Sequence, residues 1–161
     1  MGFSYDKTLN FNQLEKLLVQ KDFKKANDET YKLIDRSVMS VMKQRYLPDY
    51  RLDYNFLPPT VPQNIDMLWK KYSGSRFGFG IQKRLYIQSG NSLDGRMYLD
   101  GFDCFSDLVG WSEGERWISY HQVIFHSSAP LGHLPTPIVN ETSGMDTFFR
   151  CYALPIILSL V

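Results

Sequence analysis

Cysteine is nearly absent. Cys104 and Cys151 are the only two, too few and too far apart for a disulfide framework or a CxxC metal knuckle. Two free thiols in a reducing compartment are the expectation. An excess of one charge sign is lacking too: 18 basic and 17 acidic side chains leave a formal net charge of +1. Such a balance gives no field to recruit nucleic acid or anionic lipid. No stretch approaches the ~20 apolar residues that a membrane span needs. The opening MGFSYDKTLN has no apolar h-region and is not rich in Arg or Ser, so no signal or transit peptide is expected in it. Asp6 stands where an N-myristoylation signal carries Ser or Thr.

Catalytic groupings are missing as well. A nucleophile needs a base in reach and a group behind it to orient the base, and no such set can be assembled. His121, His126 and His133 fall close together, but their spacings put no two on one helix face, and no neighbouring acid completes a metal-ligand set. Asp100, Asp103 and Asp107 read as the polar side of a helix, and Asp94 lies in a turn. Neither RFGFG nor SGNSLDG has the strand–glycine–helix context of a phosphate loop. The reading is a non-enzyme with no metal site.

What is abundant is aromatic surface. The 161 residues include 11 Phe, 10 Tyr and 3 Trp, 15% of the chain, within an ordinary 43% hydrophobic content. Flat apolar side chains in such number suit either a well-packed core or a planar ligand. The length is that of one domain.

Periodicity predicts mostly helix with much loop. Phe11, Leu14, Leu17 and Leu18 fit a helix over 10–20, started by Asn10 and Gln13. Phe23, Ala26, Thr30, Leu33, Ile34, Val38, Val41 and Met42 fit a second over 22–43, capped by Asp22. Joined across Gln20 and Lys21, they form an antiparallel pair. Residues 46–63 carry four prolines and read as a loop lying against the body. Helix returns over 64–72 behind Asn64. Residues 76–88 fit helix or strand, with Gly78 and Gly80 favouring neither and suggesting a mobile segment around Phe77 and Phe79. Residues 89–96 form a turn, and a helix over 99–109 ends at Gly110. Ser119 and Gln122 have capping-box spacing, which points to a helical turn. The terminal ALPIILSLV fits a docked helix better than a peripheral membrane contact.

Three phrases are more specific: LWKKYSGSRFGFGIQKRLYIQSG at 68–90, FDCFSDLVGW at 102–111 and ERWISYHQVIFHSSAPLGHLP at 115–135. In order and spacing, together with the helix pair ending ETYKLIDR, they resemble the genomes-uncoupled-four type porphyrin-binding regulators of magnesium chelatase, over residues 10–137. The resemblance implies an all-α single small domain of about seven or eight helices with long loops and a cupped ligand-binding face. It implies a porphyrin-binding domain over 1–137 with a docked tail over 138–161. It also implies protoporphyrin IX or its magnesium complex as a non-covalent ligand, with a bilin as an alternative on the same fold and Cys104 or Cys151 as a candidate anchor. The implied partner is the large porphyrin-binding subunit of magnesium chelatase, and the setting is cyanobacterial cytoplasm or plastid stroma. A ligand-free module that takes a peptide helix is the alternative of another class.

A porphyrin is an apolar disc with two carboxylates on one edge, so its site needs flat walls and a few cations. Phe77, Phe79, Trp111, Trp117, Tyr120 and Phe125 are the candidate walls; Arg76, Lys83, Arg84 and Arg116 are the candidate partners of the carboxylates. Pro130, His133 and Leu134 complete the set, with His133 read either as a ligand to a central metal or as a cap on backbone groups. Pro130, Gly132 and Pro135 would hold the loop's shape before the ligand arrives. Against the family's pattern, His126 replaces an acid, Leu131 replaces a polar residue, and the segment after Pro137 is acidic and apolar.

Overall fold

Local signals build the first helices. In the computed structural model, which describes residues 9–46, 52–114, 116–140 and 145–161, α1 runs Asn12–Val19 and α2 runs Phe23–Gln44. Asn10 Oδ1 accepts from the Asn12 amide at 2.8 Å. Asp22 Oδ1 accepts from Lys25 N–H at 3.2 Å, occupying one of the orphan donors of the first turn of α2. Lys21, at φ 59°, turns the chain between them. Leu14, Leu18, Ala26, Ile34 and Val38 are fully buried, the facing stripes of an amphipathic pair.

Residues 47–51 of the proline-rich segment lie outside the described residues, as do residues 1–8, which carry the leader and myristoylation readings, along with Glu115 and residues 141–144 of the tail. The described remainder of that segment forms a 3-10 turn, Tyr54–Phe56, and then α3, Thr60–Ser73. Helix α3 therefore starts four residues before the expected Asn64, with Pro62 in its first turn, where a missing N–H costs nothing because those amides have no intrahelical acceptor. Trp69 on α3 donates its indole N–H to Thr30 Oγ1 at 2.9 Å, tying α3 to α2.

The ambiguous 76–88 segment is helical: α4 runs Phe79–Gln88, and α5 runs Leu99–Leu108. Gly110 (φ 73°) ends α5 in a Schellman arrangement, with Trp111 N–H on Ser106 C=O at 2.8 Å and Gly110 N–H on Asp107 C=O at 3.1 Å. A small antiparallel hairpin, β1 (Ser112–Glu113) with β2 (Arg116–Trp117), follows, then a 3-10 turn at Tyr120–Gln122 with the expected capping box, Gln122 Oε1 accepting from Ser119 N–H at 2.8 Å. Helix α6, Met145–Ser159, closes the order.

Among the described residues there are thus six α-helices, two 3-10 turns and one short hairpin in a single core. Helices α1, α2 and α3 pack together; α3 leads to α4, which carries α5 on one side and α6 on the other, and α6 returns to the 54–56 turn. None of these helices is long and apolar enough to cross a membrane.

Candidate functional site

The loop SAPLGHLP is the structural centre of the sequence-predicted site. Its residues from Gly132 to Pro135, and the chain beyond them as far as Ile138, are buried, and buried backbone groups outside regular structure must find partners elsewhere. Here side chains provide them. Gln82 Nε2 donates to the carbonyls of Gly132 (2.9 Å) and Pro135 (2.8 Å). Arg76 donates to the Ala129 carbonyl at 2.8 Å, and the Trp111 indole donates to the His133 carbonyl at 2.8 Å. Asn27, on α2, closes a two-way pair with the backbone of Thr136 at 2.7 and 3.2 Å. Gly132 N–H donates to Arg76 C=O, and Gly78 N–H to Leu134 C=O, each at 2.9 Å. The loop is pinned to α2, to α4 and to the end of α5.

His133 belongs to this pinning. It is fully buried. Nδ1 lies 2.7 Å from the Val109 carbonyl, which can only accept, so Nδ1 carries the proton. Nε2 then accepts from Ile124 N–H at 3.1 Å. Burial holds its pKa below the ordinary 6.5, partly offset by the bond to Val109. Both nitrogens are committed in a neutral ring, so the metal-ligand reading of His133 gives way to the backbone-capping one. Among the described residues, no group of three His, Cys, Asp or Glu side chains could hold a metal.

The candidate walls divide sharply. Phe77, Phe79, Trp111 and Leu134 are fully buried, with no face open to a ligand. Phe77 sets its ring edgewise to Phe23 (5.5 Å) and Trp69 (6.3 Å), and Trp111 to Phe105 (5.4 Å). The glycines around Phe77 and Phe79 serve packing rather than mobility. Asp66 Oδ1 accepts from Gly80 N–H at 2.7 Å, and a Cβ on Gly78 would come within 2.6 Å of that same oxygen. A carboxylate at the N-terminus of α4 complements the free amides and the helix dipole.

Trp117, by contrast, is 40% exposed. It stacks one face on buried Phe102 at 5.9 Å and 19°, leaving its other side to solvent. Tyr120 and Phe125, both half-buried, meet at 5.7 Å. Ile124 and Leu131, 43% and 40% exposed, add apolar surface along the same stretch of chain. Pro130 is half-buried, its Cγ in the space a Cβ on Gly110 would need. Of the candidate cations, Arg76, Arg84 and Arg116 are exposed. The Arg76 guanidinium is already engaged by Ala129, and Lys83 donates to the Val161 carbonyl. Lys24, whose ammonium lies 5.5 Å from the Tyr120 ring centroid, joins this surface from α2; the length of intervening chain left no sequence signal for it. Cys104 is exposed, while Cys151 is buried and its pKa is pushed up to about 12, so Cys151 is not an available bilin anchor.

The model of the family described as GUN4-like matches residues 4–151. The chain is 26% identical over 150 residues to a Ycf53-like protein of Synechocystis, covering 92% of this chain and 59% of that one. It is 27% identical over 139 residues to the chloroplastic tetrapyrrole-binding protein of Arabidopsis thaliana, covering 78% and 47%. The chain thus spans about half the length of the curated relatives it matches. The ligand-free structure of Arabidopsis thaliana GUN4 superimposes with a TM-score of 0.64 at 23% identity, covering 92% of this chain and 93% of that one. GUN4 from Chlamydomonas reinhardtii gives 0.61 at 22%, covering 94% of each. At those identities the solved structures speak for the fold alone, but the match over 4–151 settles membership: the chain belongs to the GUN4-like family.

Proposed function

We propose that this protein binds a tetrapyrrole, protoporphyrin IX or its magnesium complex, non-covalently on the surface presented by residues 116–131. In this reading it makes and breaks no bonds, and it stimulates magnesium chelatase by contact with the large porphyrin-binding subunit. The setting is cyanobacterial cytoplasm or plastid stroma. The observation that carries the reading is Trp117: a half-exposed indole backed face-to-face by Phe102, on a scaffold held by the SAPLGHLP network. A rigid, one-sided aromatic platform suits a disc, since no ring must be ordered on binding. Family membership and the tetrapyrrole-binding name of the Arabidopsis relative support the ligand class. Arg84, Arg116 and Lys24 are the cations for the carboxylate edge.

The test is a titration of the full chain with protoporphyrin IX, its magnesium form and a bilin, followed by tryptophan emission and pigment absorption. Trp69 and Trp111 are buried and Trp117 is exposed, so contact quenching falls on Trp117, while energy transfer to the pigment reaches all three. Micromolar protoporphyrin is expected to quench it, and Trp117→Ala to weaken binding roughly 5- to 30-fold, the range for an aromatic anchor. Emission unchanged well past micromolar pigment would refute the reading. A bilin that binds while both porphyrins do not would change the ligand but keep the site.

A further inference from the structure

A cavity of about 1010 Å3 lies away from the aromatic loop, between α2, the 54–56 turn and α6. None of its lining residues belongs to the 76–134 region. We propose that it is a second binding site, for an amphipathic carboxylate whose apolar body fills the cavity and whose head group is held by Arg150.

The volume is at the upper end of small-molecule pockets, about 300–1,000 Å3. Met42, Leu52, Phe56, Phe149, Tyr152 and Ile156 supply apolar wall. Three carboxylates also line it, Asp35, Asp53 and Asp146, so charge alone would argue against an anion. All three already have partners. Asp53 accepts from Asn55 N–H (3.0 Å) and Nδ2 (2.8 Å), and Asp35 accepts from the Tyr54 hydroxyl at 2.8 Å. Burial also pushes the Asp35 pKa up, against the pull of Tyr54 and Arg150. Asp146 is exposed.

The guanidinium is the group left with capacity. Arg150 is largely buried, its side chain 19% exposed, and its centre lies 4.4 Å from the Tyr31 ring centroid. Its nearest carboxylate oxygen, on Asp35, is 3.9 Å away, too far for a hydrogen bond. No described residue accepts a hydrogen bond from its five N–H donors, and with the side chain 19% exposed they remain open to solvent and to a ligand. The Tyr31 hydroxyl is buried with no hydrogen-bond partner among the described residues, and Arg150, Tyr54 and Asp35 are among its polar neighbours. A carboxylate seated against the planar fork of Arg150 would supply acceptors, and the aromatic and aliphatic wall would take its apolar tail.

The probe is dansyl-labelled undecanoic acid, with its methyl ester as the uncharged counterpart, titrated into the full chain by dansyl emission. The acid is expected to bind at least 10-fold more tightly than the ester. Arg150→Gln is expected to remove that difference, and Trp117→Ala to leave it unchanged. Equal binding of acid and ester to the wild-type chain would overturn the proposal, whether or not the Arg150 variant folds. So would no binding of either, or loss of the difference in Trp117→Ala. Since the two sites share no residue, protoporphyrin binding can fail while this one stands, and the reverse.

Discussion

Replacing His133 by alanine strands a buried backbone carbonyl and a part-buried backbone amide at once. The Val109 carbonyl loses its donor at 2.7 Å and the Ile124 amide its acceptor at 3.1 Å. An orphaned buried polar group costs about 1–3 kcal/mol, so the pair costs roughly 2–6 kcal/mol. Against the ~5–15 kcal/mol that holds a domain together, that is a large fraction. For a chain of this size each kcal/mol moves Tm by about 2–4 °C, which places the expected fall at roughly 5–20 °C. Far-ultraviolet circular dichroism at pH 7.5 reads it directly. The pH dependence provides a second reading. The unfolded imidazole takes its proton near 6.5, while burial holds the native value lower. Between those values the unfolded chain binds more protons. The His133 contribution is therefore complete above pH 6.5 and drains as pH falls through the window below it, by at most about 1.4 kcal/mol per pH unit. Glu15, Asp22 and Asp94, lowered mainly by side-chain hydrogen bonds, act in the same direction but only near and below the usual carboxylate range. Asp35, raised by burial, acts with the opposite sign. Urea unfolding between pH 7.5 and 5.5 should show a decline in the wild type that the His133→Ala chain lacks. A Tm change under about 2 °C, or identical slopes in the two chains, would refute the assignment of His133 as a neutral backbone clamp.

Gly132→Ala forces a side chain onto φ +75°, with its Cβ 2.9 Å from Leu85 Cδ1 and 3.2 Å from Val109 Cγ1; it should cost about 1–3 kcal/mol. Gly114→Ala, at φ +63° with open space around it, should cost less, and denaturant titration of the two side by side checks the order. Asp66→Ala removes the acceptor of the Gly80 amide and should speed hydrogen exchange there at a cost of about 0.5–2 kcal/mol, while Asp66→Asn, which keeps an acceptor, recovers most of it. A thiol reagent should label one cysteine rapidly, exposed Cys104, with Cys151, 5% exposed and pushed up to about 12, reacting only on unfolding; two fast thiols would contradict the packing of α6.

What was legible in the sequence was local. Asp22 caps α2 and Gly110 ends α5 because a carboxylate three residues before an amide, or a residue free to take φ 73°, solves its problem within one turn. The start of α3 was misplaced because prolines read as loop, although a helix's first turn has no use for the missing N–H. Gly78 and Gly80 read as mobility because Asp66, the carboxylate they accommodate, is more than a turn of helix away in sequence and on another helix. The aromatic set divides for a related reason. Ring type and spacing identify apolar faces but not what covers them: Trp111 and Trp117 bracket one hairpin, yet the first is fully buried and the second 40% exposed. The Asp35–Tyr54–Arg150 group had no signature at all, since it joins three segments far apart in the chain.

The burial of Phe77, Phe79 and Trp111 changes how the proposed platform must work. Enclosing a porphyrin on both faces would remove on the order of 300–400 Å2 of disc from water, about 7–10 kcal/mol. Trp117, Tyr120 and Phe125 offer cover on one face, so about half of that, roughly 4–5 kcal/mol, remains. Association costs at least ~4 kcal/mol, which nearly cancels it. Net affinity then rests on the two carboxylates meeting Arg84, Arg116 and Lys24, and on a loop ordered in advance by Gln82, Asn27, Trp111 and His133. A platform of this kind discriminates among tetrapyrroles by the number and placement of their carboxylates. His133 takes no part in holding a metal at the ring's centre, because both its nitrogens are already spoken for by Val109 and Ile124.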